Sequence, residues 1–167
     1  MKKSILFLTC LCMLLMLCAC GKTDEGESEV ANMVNPMTEV TAEEAFQALG
    51  VSPTLEDSVT IGDVFHYAVE PELWEFEITV DGQSWEMRMA HSEEEADISG
   101  VYLADEVEAT IYDSDGSVPS VTVASDSEYT VAYCLWQGYA FSISGDCAQK
   151  DAGYDTCVLL ALAVIGG

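Results

Sequence analysis

Between residues 73 and 90 apolar and polar side chains alternate on both sides of an Asp-Gly pair, as LWEFEITV, DG, QSWEMRMA. Alternation with period two marks a half-buried strand, and Asp-Gly suits the left-handed backbone of a two-residue type I′ hairpin turn. The turn sets the register. Val80 is expected opposite Gln83, Ile78 opposite Trp85, Phe76 opposite Met87 and Trp74 opposite Met89. One face of this hairpin is then almost wholly apolar. The other pairs Thr79 with Ser84, Glu77 with Glu86 and Glu75 with Arg88. An exposed cross-strand ion pair of that kind contributes roughly 0.2–1 kcal/mol.

Similar patterns predict strands at Val64–Val69, around Val101–Leu103, and at Val107–Tyr112, Val118–Ala124, Tyr129–Trp136 and Tyr139–Ser144, with turns at Asp115-Gly116 and Gln137-Gly138. Two segments depart from period two. Thr41-Ala42-Glu43-Glu44 has the form of a capping box, and Gly50 stands where a left-handed C-cap belongs, so a short helix is predicted over Ala42–Leu49. The run Tyr154–Ile165 is apolar on nearly every side and too short to span a bilayer, which predicts a buried helix. Together these elements define an α+β fold: an antiparallel sheet of about six to eight strands, with a short N-terminal helix and a buried C-terminal helix packed on it. Residues 36–167 are expected to form this single domain.

The first 35 residues have another character. Met1-Lys2-Lys3 is followed by a short, strongly apolar stretch, the pattern of an export signal rather than a membrane-spanning helix. Leu17-Cys18-Ala19-Cys20-Gly21 resembles the lipobox of bacterial lipoproteins, which implies cleavage after residue 19 and a diacylglycerol thioether on Cys20. Two fatty chains of the palmitate type hold a protein durably where one does not. The domain is then expected on the extracytoplasmic face of the cell membrane. Residues 20–35 are small, polar and acidic, and read as a flexible tether with a reach of roughly 20 Å.

Removing the leader also changes the charge. The whole chain has 30 acidic and five basic residues and a net charge of −25; losing Lys2 and Lys3 takes it to −27. Lys22, Arg88 and Lys150 are then the remaining fixed cations. Such a chain repels nucleic acid and favours cationic proteins or peptides.

Four segments carry a resemblance to a known group: Asn35-Pro36-Met37-Thr38-Glu39-Val40, the TAEEAFQALG stretch after it, Asp97-Ile98-Ser99-Gly100-Val101-Tyr102, and Trp136-Gln137-Gly138-Tyr139. They resemble uncharacterised lipoproteins of Gram-positive, largely clostridial bacteria, in which a domain of unknown function follows a lipobox and an acidic tether. The resemblance spans nearly the whole chain beyond the leader and implies no catalytic residues and no cofactor. The cysteine trio near the C-terminus departs from it.

Candidate chemistry is sparse. Beyond the leader and Cys20 the cysteines are Cys134, Cys147 and Cys157, of which any two could form a disulfide outside the cytoplasm. His91, Glu93, Glu95 and Asp97 are the best metal-ligand candidates, although an acidic loop after a strand is ordinary. His66 and His91 lack a G-x-S-x-G or S-x-x-K partner motif, so a hydrolytic enzyme is the weakest reading. The aromatics Trp74, Trp85, Tyr133, Trp136, Tyr139 and Phe141 suit a core, or else a groove for a small ligand or lipid. A non-enzymatic binding or accessory domain for a cationic partner is the leading expectation, with the oligomeric state left open.

Overall fold

The computed structural model describes residues 37–104 and 107–166. Its strands are β1 (Met37–Val40), β2 (Val59–Tyr67), β3 (Leu73–Val80), β4 (Gln83–His91), β5 (Thr110–Tyr112), β6 (Val121–Ser125), β7 (Tyr129–Trp136) and β8 (Tyr139–Asp146). The helices are α1 (Ala42–Leu49) and α2 (Gly153–Ile165), the second preceded by a 3-10 turn over Cys147–Ala152. All eight strands join one antiparallel sheet in the order β1-β2-β3-β4-β8-β7-β6-β5. Two four-stranded meanders therefore meet at the centre, where β4 pairs with β8. The fold is α+β, as the sequence pattern predicts.

The β3–β4 hairpin has the register expected of its sequence, from Val80 opposite Gln83 to Trp74 opposite Met89. Asp81 and Gly82 both take positive φ, at 51° and 80°, which is the type I′ geometry whose twist matches the strands. Gln137 and Gly138 do the same between β7 and β8. Asp115-Gly116 lies instead within a longer loop closing β5 onto β6, where the Asp115 carboxylate accepts from Ser117 N.

Helix α1 begins and ends where its caps dictate. Thr41 Oγ1 accepts from Glu44 N at 3.2 Å, the Glu44 carboxylate accepts from Thr41 N at 2.9 Å, and Gly50 closes the helix with φ 74°. Thr41→Ala removes the cap oxygen, and the expected loss is about 1 kcal/mol, read as a lower urea midpoint. An unchanged midpoint would show that tertiary packing alone holds the helix.

Alternation sends Val64, Trp74, Phe76, Ile78, Val80, Trp85, Met87, Met89, Phe141 and Ile143 to one face of the sheet, where each is at most 5% exposed. Both helices cover this inner face. Phe46 of α1 stacks on Phe76 at 5.2 Å, and the α2 row Cys157, Leu160, Ala161 and Val164 is buried against the strands. On the far side of α2, Val158, Leu159, Leu162 and Ala163 are half-buried. The helix ends are tied in by polar contacts: Tyr139 OH donates to Leu49 O at 2.7 Å, and Thr54 N to Ala163 O at 2.7 Å.

Three details differ from the sequence pattern. Strand β1 is additional; its mostly exposed residues pair Met37 with Tyr67 and Val40 with Val64 along the sheet edge. Strand β2 starts at Val59 rather than Val64, because an extra residue between Ile61 and Val64 forms a bulge and shifts the alternation. Residues 101–103 form no strand. They belong to the connection after β4, whose residues 95–104 lie on the outer face of the sheet and are held by side chains: Ile98 N donates to Ser142 Oγ, Thr122 Oγ1 to Glu95, and Ala104 N to Asp126.

Candidate functional site on the outer face of the sheet

The outer face carries the acids that alternation turns away from the core. On it Glu75 and Glu77 of β3 lie opposite Arg88 and Glu86 of β4, the pairing that the hairpin register dictates. Glu75 Oε2 accepts from Arg88 Nε at 2.9 Å and from Tyr67 OH at 3.1 Å, and it lies 2.7 Å from Arg88 Nη2. Arg88 Nε is also 3.1 Å from Glu86 Oε1, and the guanidinium sits 5.9 Å from the Tyr67 ring centre. Both partners of the central pair are largely sheltered, with 20% of the Arg88 side chain and 11% of the Glu75 side chain exposed.

The β4–β5 connection closes over this cluster. Arg88 Nη1 reaches Ile98 O at 3.5 Å, and Gly100 passes so close that a Cβ there would lie 2.0 Å from Nη1. Gly100 also has φ 72°, a conformation that favours glycine, and any side chain there would push the Arg88 guanidinium aside. In the same loop Asp97 accepts from Ser99 N at 2.8 Å.

The charge of the cluster is unbalanced. Arg88 is shared between two carboxylates, and Glu77 stands directly opposite Glu86. Partial burial and the charge of Glu75 raise the Glu86 carboxyl above its ordinary value of 4.5, outweighing the pull of Arg88. Between 4.5 and that raised value the folded chain holds more protons than the unfolded one, so this group lowers stability as pH rises. Glu86→Gln is expected to unfold at higher urea than wild type at pH 7, with the gap closing as the pH falls towards 4.5. Equal midpoints at pH 7 would mean that Arg88 already compensates the charge. Beside the cluster, Gly62, Glu77, Thr79, Ser84 and Glu86 line a shallow, solvent-open groove of about 400 Å³.

The other residues suggested by sequence lie apart from this face or from one another. His91 stacks on Tyr139 at 4.7 Å, Glu95 is engaged by Thr122, Asp97 caps its own loop, and Glu93 is exposed. No three His, Cys, Asp or Glu side chains among the described residues are grouped as a metal would need. His66 stacks on Trp74 at 4.8 Å, and its Nε2 lies 3.8 Å from Glu72. Trp74, Trp85 and Phe141 belong to the core and Trp136 and Tyr139 pack half-buried against it, while Tyr133 is half-buried on the outer face, in register with Ser142 and Thr122. Cys134 of β7 and Cys157 of α2 are fully buried, whereas Cys147 starts the 3-10 turn, half-buried. Cys20 and its lipobox lie outside the described residues.

Tyr67 and Gly100 are the participants that sequence reasoning overlooks. The available signal was a lone arginine in a strand followed closely by a Ser-Gly loop, but nothing local shows that the loop folds back onto the strand.

No protein-family model, curated protein or solved structure matches this chain. No helix among the described residues is long and apolar enough to cross a membrane.

Proposed function

We propose that this protein is a lipoprotein anchored through Cys20 to the extracytoplasmic face of a cell membrane, where its domain binds a cationic protein or peptide. The observation that carries the binding part is the fate of its cations. Arg88 and Lys150 are the fixed cations among the described residues, and Arg88 is held between Glu75 and Glu86. The acidic surplus of the rest therefore faces outward without internal compensation, and Glu77 places part of it beside an open groove. A surface of one sign steers oppositely charged partners and repels polyanions. The lipobox, the acidic tether and the resemblance to clostridial-type lipoproteins support the anchoring part.

The reading of the sheet as a ligand or lipid pocket loses support from the same fold, because α1 and α2 occupy its apolar face. Catalysis gains no support either. Among the described residues His66 Nε2 has no hydrogen-bond partner, and its ring stacks on Trp74.

The test is the binding of full-length protein in detergent micelles to an oligolysine peptide, with oligoglutamate as control. Association with oligolysine alone is expected, and it should vanish near 1 M salt, where the screening length is about 3 Å. Equal binding of both peptides, or of neither at low salt, overturns the electrostatic reading.

A further inference from the structure

Cys134 and Cys157 are brought together by how α2 crosses the inner face of β7. Gly153, in the first turn of α2, packs between β7 and β6, where an added Cβ would lie 3.2 Å from Thr130 Cγ2, 3.4 Å from Val123 Cγ1 and 3.9 Å from Ala132 Cβ. One helical turn further on, four residues and about 6 Å along the axis, stands Cys157. Two residues further along the same face of β7, an advance of about 6.6 Å, stands Cys134. Helix and strand advance in step, which sets Cys157 of α2 over Cys134 of β7, both present as free thiols in this structure. Both residues are 0% exposed and belong to one core cluster. Cys147 leaves the end of β8 on the other side of the 3-10 turn, with its backbone N–H bonded to Glu128 O.

We propose that Cys134 and Cys157 form a disulfide that staples α2 to β7, leaving Cys147 as the free thiol. The chemistry is two successive thiol–disulfide exchanges with a disulfide donor, either an oxidised dithiol oxidoreductase or oxidised glutathione. One cysteine thiolate attacks the donor disulfide, forming a mixed disulfide and expelling one donor thiolate. The second cysteine thiolate attacks the protein sulfur of that mixed disulfide and expels the other donor thiolate. The two protons lost by the cysteines end on the two departing thiols. The protein is oxidised by two electrons and the donor reduced by two.

Exchange takes place before α2 docks. In the docked state no donor reaches either sulfur, and the neighbouring Cys134 thiol, together with burial, pushes the Cys157 thiol well up, so little thiolate forms. Once closed, the bond is shielded from reductant by the same packing.

The test separates this inference from the proposed location. Full-length protein, unfolded and reduced, is refolded in detergent with a reduced and oxidised glutathione couple, alkylated in denaturant and mapped by peptide mass spectrometry. The expected result is a linked pair of peptides carrying residues 134 and 157, about 2 Da lighter than the sum of the two dithiol peptides, with Cys147 alkylated. Cys147→Ser should leave the linkage intact, and adding reductant during unfolding should lower the melting temperature of wild type but not of a C134A/C157A variant. Linkage through Cys147, or alkylation of all three thiols after refolding, overturns the proposal. Mapping the protein recovered from membranes of an exporting host, alongside its amino terminus, then tells a failure of the disulfide from a failure of export.

Discussion

Replacing Arg88 by methionine is expected to lower the unfolding free energy by about 3–5 kcal/mol, the usual consequence of stranding a buried charge. Taken from sequence alone, the Glu75–Arg88 pair belongs to the exposed class and contributes well under that. The structure changes the class. Glu75 is 9% exposed, Arg88 is flanked by Tyr67 and roofed by the loop at Gly100, and both Arg88 carboxylate partners depend on one guanidinium. Methionine keeps the length of the stem but leaves Glu75 facing Glu86 and Glu77 without a counter-charge. The double variant Glu75→Gln, Arg88→Met is expected to recover a large part of the loss, because it removes the stranded charge as well. Urea titration at pH 7 measures both. A deficit below about 1 kcal/mol for the single variant would place the pair back among exposed ion pairs, and the loop would not be sealing it.

Phe76→Ala is expected to cost about 3–5 kcal/mol, since the ring is wholly buried and its removal leaves a cavity as well as lost transfer energy. Phe76 sits mid-strand on β3, between Val64 of β2 and Met87 of β4, and is stacked beneath Phe46 of α1. The result discriminates between two uses of the apolar face. A core position loses stability on truncation, whereas the wall of an open ligand groove loses binding with a change within about 0.5 kcal/mol of stability. Differential scanning calorimetry and urea titration read it, and a near-wild-type midpoint would reopen the groove.

Much of this fold was legible because local signals agreed with one another. The hairpin from Leu73 to Ala90 had alternation, a type I′ turn pair and opposite charges in register, and each alone predicts the same pairing. The α1 boundaries followed from Thr41, Glu44 and Gly50, which satisfy or bend the backbone at the helix ends. Failures arose where a signal depends on distant partners. β1 has no apolar stripe because it is an edge strand, and its pairing comes from β2. The bulge at Gly62-Asp63 separates Ile61 from Val64 by three positions, so period two is interrupted although both reach the inner face. Val101 and Leu103 alternate as strand residues do, but no strand among the described residues pairs with them.

The candidate site was half legible. The register placed Glu75 against Arg88 and Glu77 against Glu86, and the net charge foretold an acidic outer face. Burial of the pair could not be read, because the cover comes from residues 97–101, which join β4 to a strand at the opposite edge of the sheet. The cysteines show the same limit. Three candidates allow three pairings, and only the packing of α2 on β7 selects Cys134 with Cys157.

The proposed role rests on lipid at Cys20, since that one modification would hold an acidic domain outside the cell and close to a membrane. Intact mass spectrometry of the protein extracted from cell membranes, with fragmentation of the amino-terminal peptide, measures it directly. The account predicts a chain beginning at Cys20 and carrying a diacylglycerol thioether, converted by Cys20→Ser into an unprocessed precursor. An unmodified chain beginning at Met1 and recovered from the cytoplasm would contradict it.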